Sequence, residues 1–456
     1  MNRQQLLPQL FQGRQRPPNN KGKPSFQTPL FILTIVTVAS LFYPNSVLGQ
    51  LTPEYESPPI YYSTTVVTNL ANQVETRLRS GELQGIKEGG KVLLKSFLHA
   101  FDVPEETQVL VFSKTSLQRN IINPQNPRSI FYSDDTYFGW VPGGLYELTL
   151  FDPKLGLVFY AVDAEQRTIQ RDNNCLSCHG SSRTDYWPGV LVRSVFPDEE
   201  GNPVSTAGDF VTGHESPLNE RWGGWYVTGT HGDTRHMGNL TLNTKEGATS
   251  LDRQPGANLM ELSSFFNVDH YLLPDSDIVA LMVLEHQCEM HNRLSRGMLR
   301  VPKWINYQKH LYKSLGEPNP EKPTGSALIV LQSETDSILK HLLFHGEVQL
   351  TDGGIQGAGR FEPNFRNNRK EDAQGRSLKD FDLLSRLFKY RCSYMIYSKA
   401  FDYLPILLKK EIYKKLRHIL SAKIAPKEYA YLPFSERRAI LEILMATKPE
   451  FNELSR

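Results

Sequence analysis

The hydrophobic period of the chain changes twice, and this limits the possible folds more than any other feature. Lys91 to Phe101 has apolar residues recurring at three and four, and Tyr61 to Arg79 also reads as helix. After that come Gln108–Phe112, Ile130–Tyr132, Leu145–Leu150 and Gly156–Val162, which are short, β-branched and aromatic. Turn residues such as Asp134-Asp135, Pro142-Gly143-Gly144 and Asp152-Pro153 separate them. Leu191–Phe196 and Val204–Ala207 read as a hairpin across Asp198–Asn202, and Trp225–Thr230 as a further strand. From Asp277 to about Arg296 the helical period returns. More helices are expected at Ala327–His345, Lys379–Tyr390, Ile406–Ile419 (entered through Pro405) and Ser435–Ala446. Asp352–Arg376, glycine-rich at first and then basic and polar, reads as an exposed mobile loop. The pattern predicts an α+β fold with a β-rich middle and a mostly helical last third.

At 456 residues the chain is long enough for two or three domains. Its 39% hydrophobic, 11% aromatic and 22% charged residues exclude general disorder, collagen-like, coiled-coil and multi-span membrane classes. No internal repeat is evident. Residues 1–49 contain Arg3, Arg14, Arg16, Lys21 and Lys23 and no acid, followed by an apolar run from Leu30 to Tyr43. Small residues at Val47-Leu48-Gly49 then suit a signal peptidase. The run is shorter than the roughly 20 residues of a membrane span and is cut by Pro44, so cleavage before Gln50 is expected. An uncleaved anchor is the alternative, and only then would a membrane be a partner. Either way the rest is exported, to the periplasm or otherwise outside the cytoplasm. Without the leader, 46 basic residues face 49 acidic ones, a net −3, and no basic stripe remains to attract nucleic acid.

The four cysteines are Cys175, Cys178, Cys288 and Cys392, and the first two lie in Asn174-Cys175-Leu176-Ser177-Cys178-His179-Gly180. C-x-x-C-H is the pattern of covalent haem attachment. Two thiols three residues apart reach the two vinyl groups of one haem, and the adjacent histidine supplies the proximal iron ligand. Competing readings are a disulfide, a thioredoxin-type dithiol and half of a zinc site. A redox dithiol belongs to a βαβ unit, and a zinc site needs a second closely spaced Cys/His pair; neither is found here.

At these residues the chain resembles c-type cytochromes. That resemblance implies one haem c, thioether bonds at Cys175 and Cys178, and His179 as proximal ligand. The block from Arg221 through Trp222-Gly223-Gly224-Trp225-Tyr226-Val227-Thr228-Gly229 to His231-Gly232 is similar to one in large secreted bacterial proteins known only as cytochrome c domain-containing, whose role is not established. The small all-α cytochrome fold is not expected for the whole chain, because a strand precedes the motif and β and turn residues follow it. The expected organisation is a signal peptide (1–49), an N-terminal α+β region (50–150), a haem-binding region (151–300) and a helical region (301–456) containing the loop 352–376.

A sixth iron ligand decides between electron carriage and small-molecule chemistry. Met237, which lies 58 residues past His179, is one candidate, and His236, His231 and His214 are others. Trp187, Trp222, Trp225 and Tyr226 are candidates to wall the haem, and Arg183, Arg193 and Arg221 to pair with its propionates. Around Leu284–His291, His286 and Met290 share one helical face, and Cys288 and His291 another, while Glu285 and Glu289 read as a solvated edge. His341 and His345 form H-x-x-x-H on an expected helix. Cys288 and Cys392 are read equally as a disulfide or as two buried thiols.

The leading functional expectation is an exported single-haem protein in one-electron transfer with a redox partner protein or a small-molecule donor or acceptor. Alternatives are a haem enzyme of peroxidase or oxidase type with an open iron site, and a haem-based sensor or binding protein. No G-x-S-x-G, nucleotide-binding glycine loop or H-E-x-x-H supports hydrolase, kinase or zinc-protease readings.

Overall fold

The computed structural model describes residues 52–242, 252–351 and 353–455; the expected export signal lies outside the described residues. Residues from Pro53 onward make one compact unit. The helices are α1 (Leu70–Ser80), α2 (Gly90–Ala100), α3 (Leu176–His179), α4 (Ile278–Leu315), α5 (Gly325–Leu342), α6 (Phe361–Arg366), α7 (Lys399–Asp402), α8 (Ile406–Ser421), α9 (Phe434–Thr447) and α10 (Pro449–Leu454). The strands are β1 (Val109–Val111), β2 (Arg128–Tyr132), β3 (Thr136–Trp140), β4 (Tyr146–Asp152), β5 (Gly156–Asp163), β6 (Thr168–Arg171), β7 (Val192–Val195), β8 (Asp209–Thr212) and β9 (Trp225–Tyr226). The fold is α+β.

Strands β1 to β6 form an antiparallel meander, and β9 adds to the far side of β1. β7 and β8 make a separate two-stranded ribbon. The meander follows from short turn-bounded apolar segments, each pairing with its sequence neighbour. Helix α4 is the axis of the molecule. Every residue from Ile278 to Cys288 is buried, as in a helix covered on all sides. It packs on β5 of the sheet and on α5 of the C-terminal helices.

Several expectations are corrected by local chemistry. The first helix begins at Leu70 rather than Tyr61, because Asn69 caps it by accepting from the Ala71 N–H. The partner of β7 is β8, not Val204–Ala207, which forms a 3₁₀ turn at Ser205–Ala207. No helix forms over Lys379–Tyr390; Asp382 accepts from the Leu384 and Ser385 N–H groups, a local turn that competes with helix. Residues 353–376 are not an exposed loop, since α6 lies within them and Phe361 and Phe365 reach the core. The boundary at 150/151 cuts β4 and that at 300/301 cuts α4, so neither separates domains.

Candidate functional site

β6 runs directly into the cysteine motif. Asp172 accepts from the Asn174 N–H and starts a 3₁₀ turn over Asn173–Cys175, which continues as α3. Cys175 and Cys178 therefore stand about one helical turn apart, and both line one cavity together with His179. The cavity is partly open to solvent. Its opposite wall is the sheet: Ile130, Tyr137, Phe138, Leu148 and Phe159, closed by Trp225, Leu284 and Cys288.

His179 is held from two directions. Its Nδ1 donates to the Gly189 carbonyl at 2.8 Å, and the Gly189 N–H donates back to the His179 carbonyl at 2.8 Å. Asn292 of α4 fixes the next residue by accepting from Val190 N–H (2.8 Å) and donating to Val190 C=O (2.7 Å). A Cβ on Gly189 would lie 2.6 Å from Asn292 Oδ1, so only glycine permits this approach. Burial lowers the His179 pKa, keeping the ring neutral. With its proton on Nδ1, Nε2 carries the lone pair that a metal ligand needs.

Burial, helped by the Asp172 and Glu147 carboxylates, pushes the Cys175 thiol up to about 12. Reactive redox dithiols are tuned in the opposite direction, which weighs against a thioredoxin-type role. All four cysteines are unbridged, and Cys288 and Cys392 are buried thiols. The motif also follows an antiparallel meander rather than a βαβ unit. No protein-family model, curated protein or solved structure matches the chain. The likeness to c-type cytochromes rests on the motif and its block alone.

The proposed iron partners are scattered. Met237 packs with Phe196 and Leu242 and accepts from Ser194 Oγ. His236 accepts from the Gly238 N–H and lies against Trp222. Both nitrogens of His231 are engaged, with Thr234 C=O and Asn258 N–H. His214 sits beside His286 and His341. None of the four lines the cavity. Of the four aromatics proposed as walls, Trp225 lines it, whereas Trp187 packs near Tyr55, Trp222 against His236 and Tyr226 against Phe112.

The arginines proposed for the propionates are committed elsewhere: Arg183 and Arg193 to Asp209, Arg221 to buried Glu285 at 3.0 Å. Glu285 is thus no solvated edge; Thr212 Oγ1 also donates to it. The arginine lining the cavity is Arg128, paired with Glu147 at 2.5 Å. Gly139 of β3, paired with Ile130 of β2 and Glu147 of β4, leaves room for that guanidinium, which a Cβ there would strike. Arg128, Tyr137, Glu147 and Gly139 were not legible as site residues: Glu147 reads as ordinary strand text, and Arg128, Tyr137 and Gly139 fall outside the expected strands. The one available signal was alternation, which puts Arg128 and Ile130 on one face of β2.

Proposed function

We propose that the chain is an exported protein carrying one haem c, joined through Cys175 and Cys178 with His179 as proximal ligand, and that it works in one-electron transfer. The observation carrying this reading is the bond from His179 Nδ1 to the Gly189 carbonyl beside a cavity shared with both thiols. That bond orients the ring and raises the basicity of Nε2. The donor set fits the group: two thiols one turn apart, a neutral oriented imidazole, and an apolar aromatic wall. Haem, when bound, supplies a one-electron iron couple. Phe138, Phe159, Trp225 and Leu284 would exclude water from it, and Arg128 offers a cation for a haem carboxylate. The electron's source or acceptor is a redox protein or a small molecule.

A second reading, a haem enzyme or sensor with an open iron position, is favoured by one observation. Met237, His236, His231 and His214 are all engaged away from the cavity. A small molecule would then bind in the cavity that both thiols and His179 line.

The test is the absorption spectrum of the exported chain made with the haem-attachment machinery present, followed by alkaline pyridine. A c-type haemochrome surviving denaturation is expected from the wild type and lost from Cys175→Ala/Cys178→Ala. A colourless wild-type protein overturns the reading. A low-spin spectrum with a Met-to-iron band selects the carrier, and a high-spin, five-coordinate one the open site.

A further inference from the structure

Outside the cavity, three histidines from three different elements meet in the interior. His214 follows β8, His286 lies on α4 and His341 on α5; each is at most 3% exposed. One ligating atom of each lies within 4.8 Å of the others. Each ring ties Nε2 to a fixed protein group: His214 to the His345 carbonyl (3.3 Å), His286 to Ser393 Oγ (2.7 Å) and His341 to the His286 carbonyl (3.1 Å). Nδ1 is thereby the nitrogen each ring turns toward the others. The Nδ1 atoms of His214 and His286 share one hydrogen bond at 2.9 Å, whose proton a metal ion would displace, and that of His341 is buried with no hydrogen-bond partner. An unpartnered buried nitrogen is costly in a packed interior unless something binds it.

We propose that His214, His286 and His341 together bind one divalent transition-metal ion through their Nδ1 atoms. Imidazole nitrogens on a tetrahedral ion stand about 3.3 Å apart at metal–nitrogen bonds of about 2.05 Å. The 2.9 Å between the His214 and His286 Nδ1 atoms is close to that spacing, and one ligating nitrogen of each of the three rings lies within 4.8 Å of the others. The outward bond from each Nε2 is the arrangement that fixes the tautomer and aim of a ligating histidine. Burial keeps all three rings neutral, the form that donates to a metal, with His214 lowered to about 3.

Three nitrogens suit zinc, copper, nickel or iron(II) and exclude calcium and magnesium, which take oxygen. The nearest carboxylates are Glu289, 3.9 Å from His341 Nδ1, and Glu215, 3.8 Å from His214 Nε2. Both line a second, polar cavity with Thr212, Asn292 and Arg293. Of the two, Glu289 is the one on the Nδ1 side of the cluster, where it could complete the shell of the ion. This cavity shares Cys288, Val190 and Leu191 with the first.

The proposal does not depend on the haem. Wild-type chain, and chain carrying Cys175→Ala and Cys178→Ala to remove competing thiols, are stripped with a chelator and titrated with Zn²⁺ by calorimetry. One zinc per chain is expected in both, with an X-ray absorption edge fitted by three imidazoles at about 2.0–2.1 Å. His341→Ala should weaken binding about a hundredfold and Ser393→Ala about tenfold, while exposed His418→Ala leaves it unchanged. No stoichiometric zinc in the wild type, a shell without imidazole, or loss of binding on removing Cys175 and Cys178 alone would overturn the site. The absorption spectrum of the wild type stands whether or not the variants fold.

Discussion

Asn292 touches neither thiol nor the His179 ring, yet it sets where that ring points. Its amide holds Val190, and Gly189, one residue earlier, accepts from His179 Nδ1. On the proposed haem assignment, Asn292→Leu should leave the haem attached but loosen the Gly189 carbonyl. A less basic His179 would move the reduction potential upward, measurable by a redox titration; an unchanged potential would remove Asn292 as a positioning residue. Arg221 is the other far-reaching residue, donating to Glu285, Ser216 C=O and His214 C=O. Arg221→Ala leaves a buried carboxylate without its cation and should cost about 3–5 kcal/mol in urea unfolding.

Acid sensitivity is also set residue by residue. Burial lowers His214, His236 and His291 to about 3, against about 6.5 in an unfolded chain. The unfolded chain therefore binds more protons between these values, and stability falls as pH drops from about 6.5 towards about 3. Each such histidine contributes a slope of about 1.4 kcal/mol per pH unit. His291→Phe should flatten the stability–pH curve by one such increment, read from urea midpoints between pH 6 and 4.

At the scale of elements, α4 depends on one cap. Asp277 accepts from the Val279 and Ala280 N–H groups, and its other oxygen accepts from Ala358 N–H at 2.6 Å, tying the segment before α6 to the start of α4. Asp277→Ala should cost about 1–2 kcal/mol, more than Asp277→Asn, which keeps an acceptor for the cap. Burial raises this carboxyl to about 6, against about 3.9 in an unfolded chain, so the folded state holds the extra proton between these values and the stability of Asp277→Asn relative to the wild type should rise from about pH 4 to about pH 6 and level off above. Periodicity identified α2, α8 and α9 to within a residue or two because their apolar stripes are uninterrupted. It missed β3 and β6. Thr136–Trp140 is buried at every position and so carries no alternation, and Thr168–Arg171 is a short polar edge.

At the scale of the molecule, α4 joins sheet to helices, so a cut near residue 300 should give two insoluble pieces rather than two domains. Fluorescence and far-UV circular dichroism should report one coincident unfolding transition from Pro53 onward; separated transitions would contradict the single unit. Among the described residues no helix is long and apolar enough to cross a membrane. The α+β class, the β-rich middle and the C-x-x-C-H motif were readable in the sequence, since each depends on residues close together in the chain, whereas the strand order was not. The motif's thiols and histidine are adjacent by covalent structure, so their spacing is visible in the sequence itself. Which side chains face them could not be read that way. Arg128, Tyr137, Glu147 and Leu284 reach the cavity from strands and a helix up to about a hundred residues away, through sheet register and helix packing. His214, His286 and His341 each looked ordinary or ambiguous in isolation. Only the packing of α4 against α5 and the end of β8 makes them a cluster, because a site of three long-range ligands exists in space and not in sequence order.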